Sequence, residues 1–390
     1  MFFAMFNGLA IPFVAFIGRK IGMDSLMLTI LTMSTFIGLL LNVWIGHLAE
    51  KGNKSRWVVL PGVISRLLVC VALVWVSPIS FLILMSAFNI IATFSGPAYN
   101  SIMRSNYSNR YRGEIMGGIR ITIQIISALA AAFAGWFMER TAIGHQILYP
   151  VAGALGICSS LVFGRIKVRR MPVPLRPPVQ AAAIPHGFRA SLAVMAKDKL
   201  FMVYMGIYFI AGFPDKLLIP LEPIRFIDEL GMNYAAAGLI QGTIPLLGAM
   251  AGYFLFMKLA HRVSPFILLV ATAVLASSRF INTAMASTAY QLIPGAFFNG
   301  MGNAGWDLLP LFSIMLFVGH EKLALYFGFF STLVGVRGVT GPLLGNLMYS
   351  SGMSIVSIYW LAFGLELGAI VLLVGFLFYF RARKHTITLH

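Results

Sequence analysis

Charged residues are scarce in this chain. They fill 11% of 390 positions and only 12 of them are Asp or Glu, against about a quarter charged in soluble proteins. Such a composition cannot coat a water-facing globule, whereas 59% apolar residues gathered in long runs suit an integral membrane protein. Cysteine is almost missing too: Cys70 and Cys158 each sit in an apolar run with no second cysteine nearby, which excludes a metal or redox pair. No paired His and carboxylate metal motif, Gly-rich phosphate loop or nucleophile elbow occurs, and the histidines at 47, 145, 186, 261, 320, 385 and 390 fall in loops, span ends or the tail. No enzyme activity, metal site or cofactor is therefore expected. The formal net charge of +17 does not point to nucleic acid, because the basic residues are scattered between apolar runs and form no polar face.

What is present is a series of apolar runs. A span needs roughly 20 such residues, and on that scale the chain reads as twelve: 2–18, 25–47, 57–76, 79–103, 114–137, 147–165, 200–220, 235–257, 264–284, 288–318, 323–350 and 354–380. The first run has no basic n-region and no small-residue cleavage site, so it is expected to be retained as a span. The missing N-terminal tail leaves a truncated start open.

Lys and Arg placement sets the orientation. With the N-terminus inside, twenty basic residues fall on the cytoplasmic side and five (Arg19, Lys20, Arg140, Lys216 and Arg225) outside. Both termini are expected in the cytoplasm, with Arg19-Lys20 running against the rule. One loop is longer than the others. Residues 166–199 carry five prolines from Pro172 to Pro185 and then a basic amphipathic stretch, suited to a linker with a helix on the membrane surface. The expected organisation is an N-terminal bundle of six helices (1–165), that linker (166–199), and a C-terminal bundle of six with a short basic tail (200–390).

The two halves echo one another at a shift of about 210 residues. Ala87-Phe88-Asn89 matches Phe297-Phe298-Asn299, Gly118 and Gly135 match Gly328 and Gly345, and Leu48-Ala49-Glu50-Lys51 falls near Leu259-Ala260-His261-Arg262. Ser65-Arg66 is echoed by Ser278-Arg279 at a slightly larger shift. In order and at nearly one spacing, these matches favour a duplicated six-span unit.

The segment Gly46 to Arg56, GHLAEKGNKSR, resembles the loop between spans 2 and 3 of the major facilitator superfamily. Gly46, Glu50, Lys51 and Lys54 fall on the glycine, acid and first two basic positions of that pattern. Asn53 replaces its second glycine and tolerates a left-handed turn, while Ser55 replaces a basic residue. The Arg112-Gly113 pair resembles the Arg-Gly that opens span 5 in many of these carriers. The resemblance implies a cytoplasmic gate in which Glu50 engages Arg104 or Arg112 and the positive end of the helix starting near Glu321. The alternative is that these charges only mark cytoplasmic loops. The family's antiporter signature is absent from span 5, and a similar run, Gly335 to Gly345, lies in span 11.

Six ionisable residues are expected at membrane depth: Arg66, Arg120, Arg279, Asp307, Arg337 and Glu366. Such residues are costly and face a cavity or a partner. In the fold the resemblance implies, Arg66, Arg279 and Glu366 belong to outer spans, so structural pairing is expected there, Arg279 with Glu366 being one choice. Arg120, Asp307 and Arg337 belong to cavity-lining spans. Gln124 shares a face with Arg120, and Asn299, Asn303, Trp306 and Asp307 form one stripe. Asn7, Asn89, Tyr99 and Tyr208 complete the candidate cavity, with an interhelical hydrogen bond competing with ligand contact at each. Two arginines against one aspartate suit an organic anion, unless Asp307 carries a coupling proton or neutralises Arg120 or Arg337.

The resemblance thus implies a monomeric secondary transporter of a bacterial inner membrane, moving a small solute by alternating access with a proton or cation as coupling partner. A transporter-like sensor or scaffold, and efflux of amphipathic drugs or cations, are the alternatives.

Overall fold

The computed structural model describes residues 1–51, 53–74, 76–106, 109–166, 195, 197–260, 262–318 and 323–387. Among them every regular element is helical. The rods are α1 (Phe2–Lys20), α2 (Ser25–Lys51), α3 (Lys54–Val71), α4 (Pro78–Met103), α5 (Asn109–Arg140), α6 (Gly144–Gly164), α7 (Lys199–Leu218), α8 (Tyr234–Ala260), α9 (Pro265–Met285), α10 (Ile293–Ile314), α11 (Leu323–Ser350) and α12 (Ile355–Ile387). Among the described residues, 10 helices are long and apolar enough to cross a membrane. The exceptions are α3, which carries Lys54, Arg56 and Arg66, and α10, with its polar stripe.

Local chemistry starts and interrupts these rods. Asn53 was expected to stand in for a glycine in a left-handed turn, but it is extended at φ −72° and ψ 106° and caps α3, accepting from the amides of Ser55 and Arg56. The short polar side chain serves as a cap, so the loop needs no positive φ. Asp198 caps α7 through the Phe201 amide at 3.1 Å, and Asn233 caps α8 through Ala236 at 2.8 Å. Three rods break where proline removes a donor or glycine frees the backbone: α1 at Ile11–Phe13 beside Pro12, α4 before Gly96-Pro97, and α7 at Gly212. In α8, residues Gly238–Thr243 form a π-helical turn.

The apolar cores show how the two halves meet. One core runs through both halves and gathers Phe16 and Ile17 near the α1–α2 turn, Met138 from α5, Leu230 and Met232 before α8, and Ala286 and Ala289 before α10. A second core belongs to α7–α12 alone, and a small third one to α3 and α4. The molecule is therefore sealed across its halves at the end holding the α1–α2, α5–α6, α7–α8, α9–α10 and α11–α12 turns. At the other end the buried apolar clusters stay within each half, and the halves meet there through Met257 of α8 against Gly117 of α5 and through Arg120 with Asp307.

Polar contacts reinforce the sealed end. Arg19 pairs with Asp228, the Tyr234 amide donates to Glu139 at 2.9 Å, and the Tyr234 ring meets Phe16 at 5.3 Å. Gly135 of α5 and Gly238 of α8 let two backbones touch, since a Cβ built on Gly135 would lie 2.9 Å from the Gly238 Cα. Outward-facing side chains such as Leu129, Phe254, Val371 and Phe378, each exposed by more than 60%, form the surface expected to meet lipid.

Candidate functional site

Two neighbouring cavities open in the C-terminal half. The larger, about 310 Å³, is bounded by Glu222 and Phe226, by Gln241 and Pro245 of α8, by Arg279 and Thr283 of α9, by Asn299 and Asn303 of α10, and by Pro12 of α1. The smaller, about 90 Å³, is bounded by Gly212, Asp215 and Lys216 of α7, Phe280 of α9, Asn299, Asn303 and Trp306 of α10, Arg337 of α11 and Glu366 of α12. Asn299 and Asn303 face both. They lie one turn apart on α10, so two amides stand at the junction of the cavities.

A charge cluster surrounds this junction. Arg279 pairs with Glu222 and with Asp215, the latter at 3.1 Å, and Lys216 reaches Asp215 at 2.5 Å. Lys216 also lies 5.1 Å from the Phe36 ring of α2, which ties the cluster to the other half. The expected pairing of Arg279 with Glu366 does not occur, because Arg279 has two nearer acids. Lys216, counted among the basic residues outside although it falls in the run 200–220, lies inside α7.

Arg337 lies against α7. Its Nη1 donates to the Tyr208 carbonyl at 3.0 Å, and its guanidinium sits 5.3 Å from the Tyr208 ring. Gly212 makes room for it, since any Cβ there would overlap the guanidinium. Tyr208 in turn meets Trp306 edge-on at 5.2 Å. Glu366 is 1% exposed, and among the described residues no group donates to either of its oxygens.

A separate ion pair links the halves. Arg120 of α5 pairs with Asp307 of α10, and Tyr253 of α8 joins both, receiving from Arg120 at 3.3 Å and donating to Asp307 at 2.8 Å. Of the alternatives for Asp307, neutralisation of Arg120 is the one the contacts display.

Tyr208, Asn299, Asn303, Trp306 and Arg337 therefore come together, Arg120 and Asp307 form a second group, and half-buried Gln124 shares the α5 face with Arg120. Three candidates go elsewhere. Asn7 donates to Ser127 of α5 at 3.3 Å, Asn89 donates to Ser34 and the Leu31 carbonyl of α2, and Tyr99 packs on Phe163 of α6. Each holds two helices together, because its face meets a neighbouring rod and not the cavity. Lys54 lies in the first turn of α3. The side chains of Glu50, Lys51, Arg104 and Arg112, and the surroundings of Gly46 and Gly113, lie outside the described residues.

Sequence reading missed Asp215, Lys216 and Glu222. The Asp-Lys pair inside the run 200–220 was the available signal. Adjacent opposite charges can neutralise each other within a span, so they need not mark its end. With Asp215, Glu222 and Glu366 facing the cavities, three acids stand beside Lys216, Arg279 and Arg337. The count of two arginines against one aspartate therefore does not describe these cavities, since Arg120 and Asp307 pair elsewhere.

The helical architecture defines a multi-pass integral membrane protein. The family model of the Major Facilitator Superfamily matches residues 1–213, and the chain belongs to that family. No protein of curated function matches it significantly in sequence. Among solved structures, a point mutant of the nucleoside transporter NupG is similar at 11% identity and a TM-score of 0.70, with 96% of each chain covered. An autoinhibited POT family peptide transporter gives 14% and 0.66 over 97% of this chain and 96% of that one. A bacterial homologue of the human lysosomal transporter Spinster, inward-facing and unoccupied, gives 15% and 0.61 over 98% and 96%. At these identities the likeness establishes the shared transporter fold.

Proposed function

We propose that this protein is a secondary transporter that moves a small, net-neutral polar solute by alternating access through the cavity at Asn299 and Asn303. The observation that carries this reading is the pair of amides at the junction of two cavities, one of them bordered by Pro12 of the other half. A volume of about 310 Å³ matches the lower range of small-molecule sites. Gln241, Asn299 and Asn303 supply donors and acceptors, while Phe226 supplies an apolar wall. Glu222 and Arg279 balance each other, so a neutral or zwitterionic solute leaves no uncompensated charge at membrane depth.

With the basic loops in the cytoplasm, the sealed end is external and the protein faces inward. The termini are then cytoplasmic, and the division at 1–165, 166–199 and 200–390 places the hinge of the two bundles on that side. Glu50, with Arg104 or Arg112, would close the cytoplasmic end in the alternate state, with Gly46, Lys51, Lys54 and Gly113 shaping its loops. The Arg120–Asp307–Tyr253 contact would bridge the halves between that gate and the cavity.

Thermal-shift screening of the purified protein against neutral polar solutes, organic anions, amphipathic cations and metal ions tests the substrate class. Neutral polar compounds should raise the transition, and the rise should vanish in Asn299→Leu and Asn303→Leu. The hit should then be taken up by proteoliposomes. Stabilisation by organic anions alone would overturn the assignment, and binding without uptake would favour a sensor.

A further inference from the structure

The smaller cavity holds four charged side chains, and two of them are already joined. Asp215 is engaged by Lys216 and by Arg279. The remaining cation and carboxylate, Arg337 and Glu366, border the same 90 Å³ space without an ion pair between them. Each has an unused polar group buried there: the Arg337 Nε donates to no acceptor, and both Glu366 oxygens lack a donor, among the described residues. An ionised carboxylate at 1% exposure with no donor is expensive in a medium of low dielectric constant. A proton removes that cost without requiring a donor. A metal ion would need several oxygen ligands, and among the described residues no acidic, His or Cys group is arranged to hold one.

Resting on the transporter reading, we propose that Glu366 is a proton-binding site and that Arg337 is the cation that replaces the proton. In the arrangement seen, Glu366 is protonated and Arg337 stays on the Tyr208 carbonyl. On release, the carboxyl O–H bond breaks with its electron pair remaining on oxygen, and the proton leaves on a water entering the cavity. The Arg337 guanidinium then swings from Tyr208 to the carboxylate. The charged groups that border the cavity with Glu366 are Asp215 and Lys216 from α7 and Arg337 from α11, with Arg279 from α9 behind Asp215. Asp215, Lys216 and Arg279 neutralise one another in part, so Arg337 is the group free to respond. The swing matters for transport because Tyr208 packs on Trp306, which stands on the α10 face that carries Asn299 and Asn303. Proton loss on α12 is thereby transmitted to the solute cavity through one guanidinium and two rings.

The test needs no solute. Infrared difference spectra of the purified full-length protein in lipid nanodiscs, in sodium-free buffer, are recorded across a step from acidic to alkaline pH. The wild type should lose a carboxylic-acid C=O band that is missing from Glu366→Gln. Glu366→Asp should show the band at a shifted frequency, which keeps the assignment testable if the Gln variant folds poorly. Arg337→Gln should retain the band through the same step, because the receiving cation is gone. An unchanged wild-type band in Glu366→Gln, or loss of the band on adding sodium at constant pH, would overturn the proposal. Since the readout is carboxyl protonation alone, a failed solute assay would count against the transport reading and leave this result standing.

Discussion

Arg66 and Arg279 occupy echoing positions in the two halves, yet their surroundings differ. Arg279 is shared by Asp215 and Glu222 at 16% side-chain exposure. Arg66 donates to the Gly62 carbonyl and to Ser65 and lies 5.3 Å from the Phe6 ring, with no carboxylate partner among the described residues. Removing one partner of a buried pair costs about 3–5 kcal/mol, and partial exposure of Asp215 puts Arg279→Met towards the lower end. Arg66→Met forfeits mainly neutral hydrogen bonds and a cation–π contact, about 1–2 kcal/mol, and regains some apolar packing. Thermal unfolding in detergent should show a much larger fall for Arg279→Met; equal falls would mean the acids do not depend on that guanidinium. The difference is invisible in the repeat, where both positions read Ser-Arg. It comes from Asp215 and Glu222, which have no acidic counterparts at membrane depth in the N-terminal sequence.

At the scale of the helix, α7 departs most from its expected form. Apolar length placed its start and end to within a few residues, as it did for most rods, because bilayer thickness dictates that length. The break at Gly212 carries a local signal in Gly212 and Pro214, but the Arg337 guanidinium of α11 that fills the space beside Gly212 is encoded in no local pattern. Two glycines of α7 separate the local effect from the tertiary one. A Cβ on Gly206 would meet open space, whereas one on Gly212 would overlap the Arg337 guanidinium. Gly206→Ala is expected to be neutral or to stabilise by up to about 1 kcal/mol through helix propensity. Gly212→Ala should destabilise by about 1–3 kcal/mol through displacement of Arg337 from the Tyr208 carbonyl. Unfolding temperatures of the two variants, measured side by side, should move in opposite directions or differ by several degrees. The stripe Asn299, Asn303 and Trp306 was legible because all three lie on one helix. Asn7, Asn89 and Tyr99 were not separable from it, since a polar residue in a span looks the same whether it meets a cavity or a neighbouring rod.

For the whole molecule, the question is what holds the sealed end shut. Two contacts compete for that role. The Arg19–Asp228 pair joins the halves with side-chain exposures of 27% and 36%, and an exposed pair contributes about 0–1 kcal/mol. Backbone apposition at Gly135 and Gly238 is less replaceable, because no rotamer of an added side chain avoids the facing helix. A leucine at Gly238 would cost about 1–3 kcal/mol in the sealed state and nothing comparable once α5 and α8 part there. A penalty confined to one state moves the population by about tenfold per 1.4 kcal/mol. Spin labels on Ile143→Cys and Tyr290→Cys, exposed residues at the outer ends of the two halves, report the opening in a background where Cys70 and Cys158 are serine. Gly238→Leu should lengthen the main distance between the labels in most molecules, and Asp228→Asn should leave it within the wild-type distribution. If the order were reversed, with Asp228→Asn opening that end and Gly238→Leu leaving it shut, electrostatics and not close packing of glycine would be the closing force.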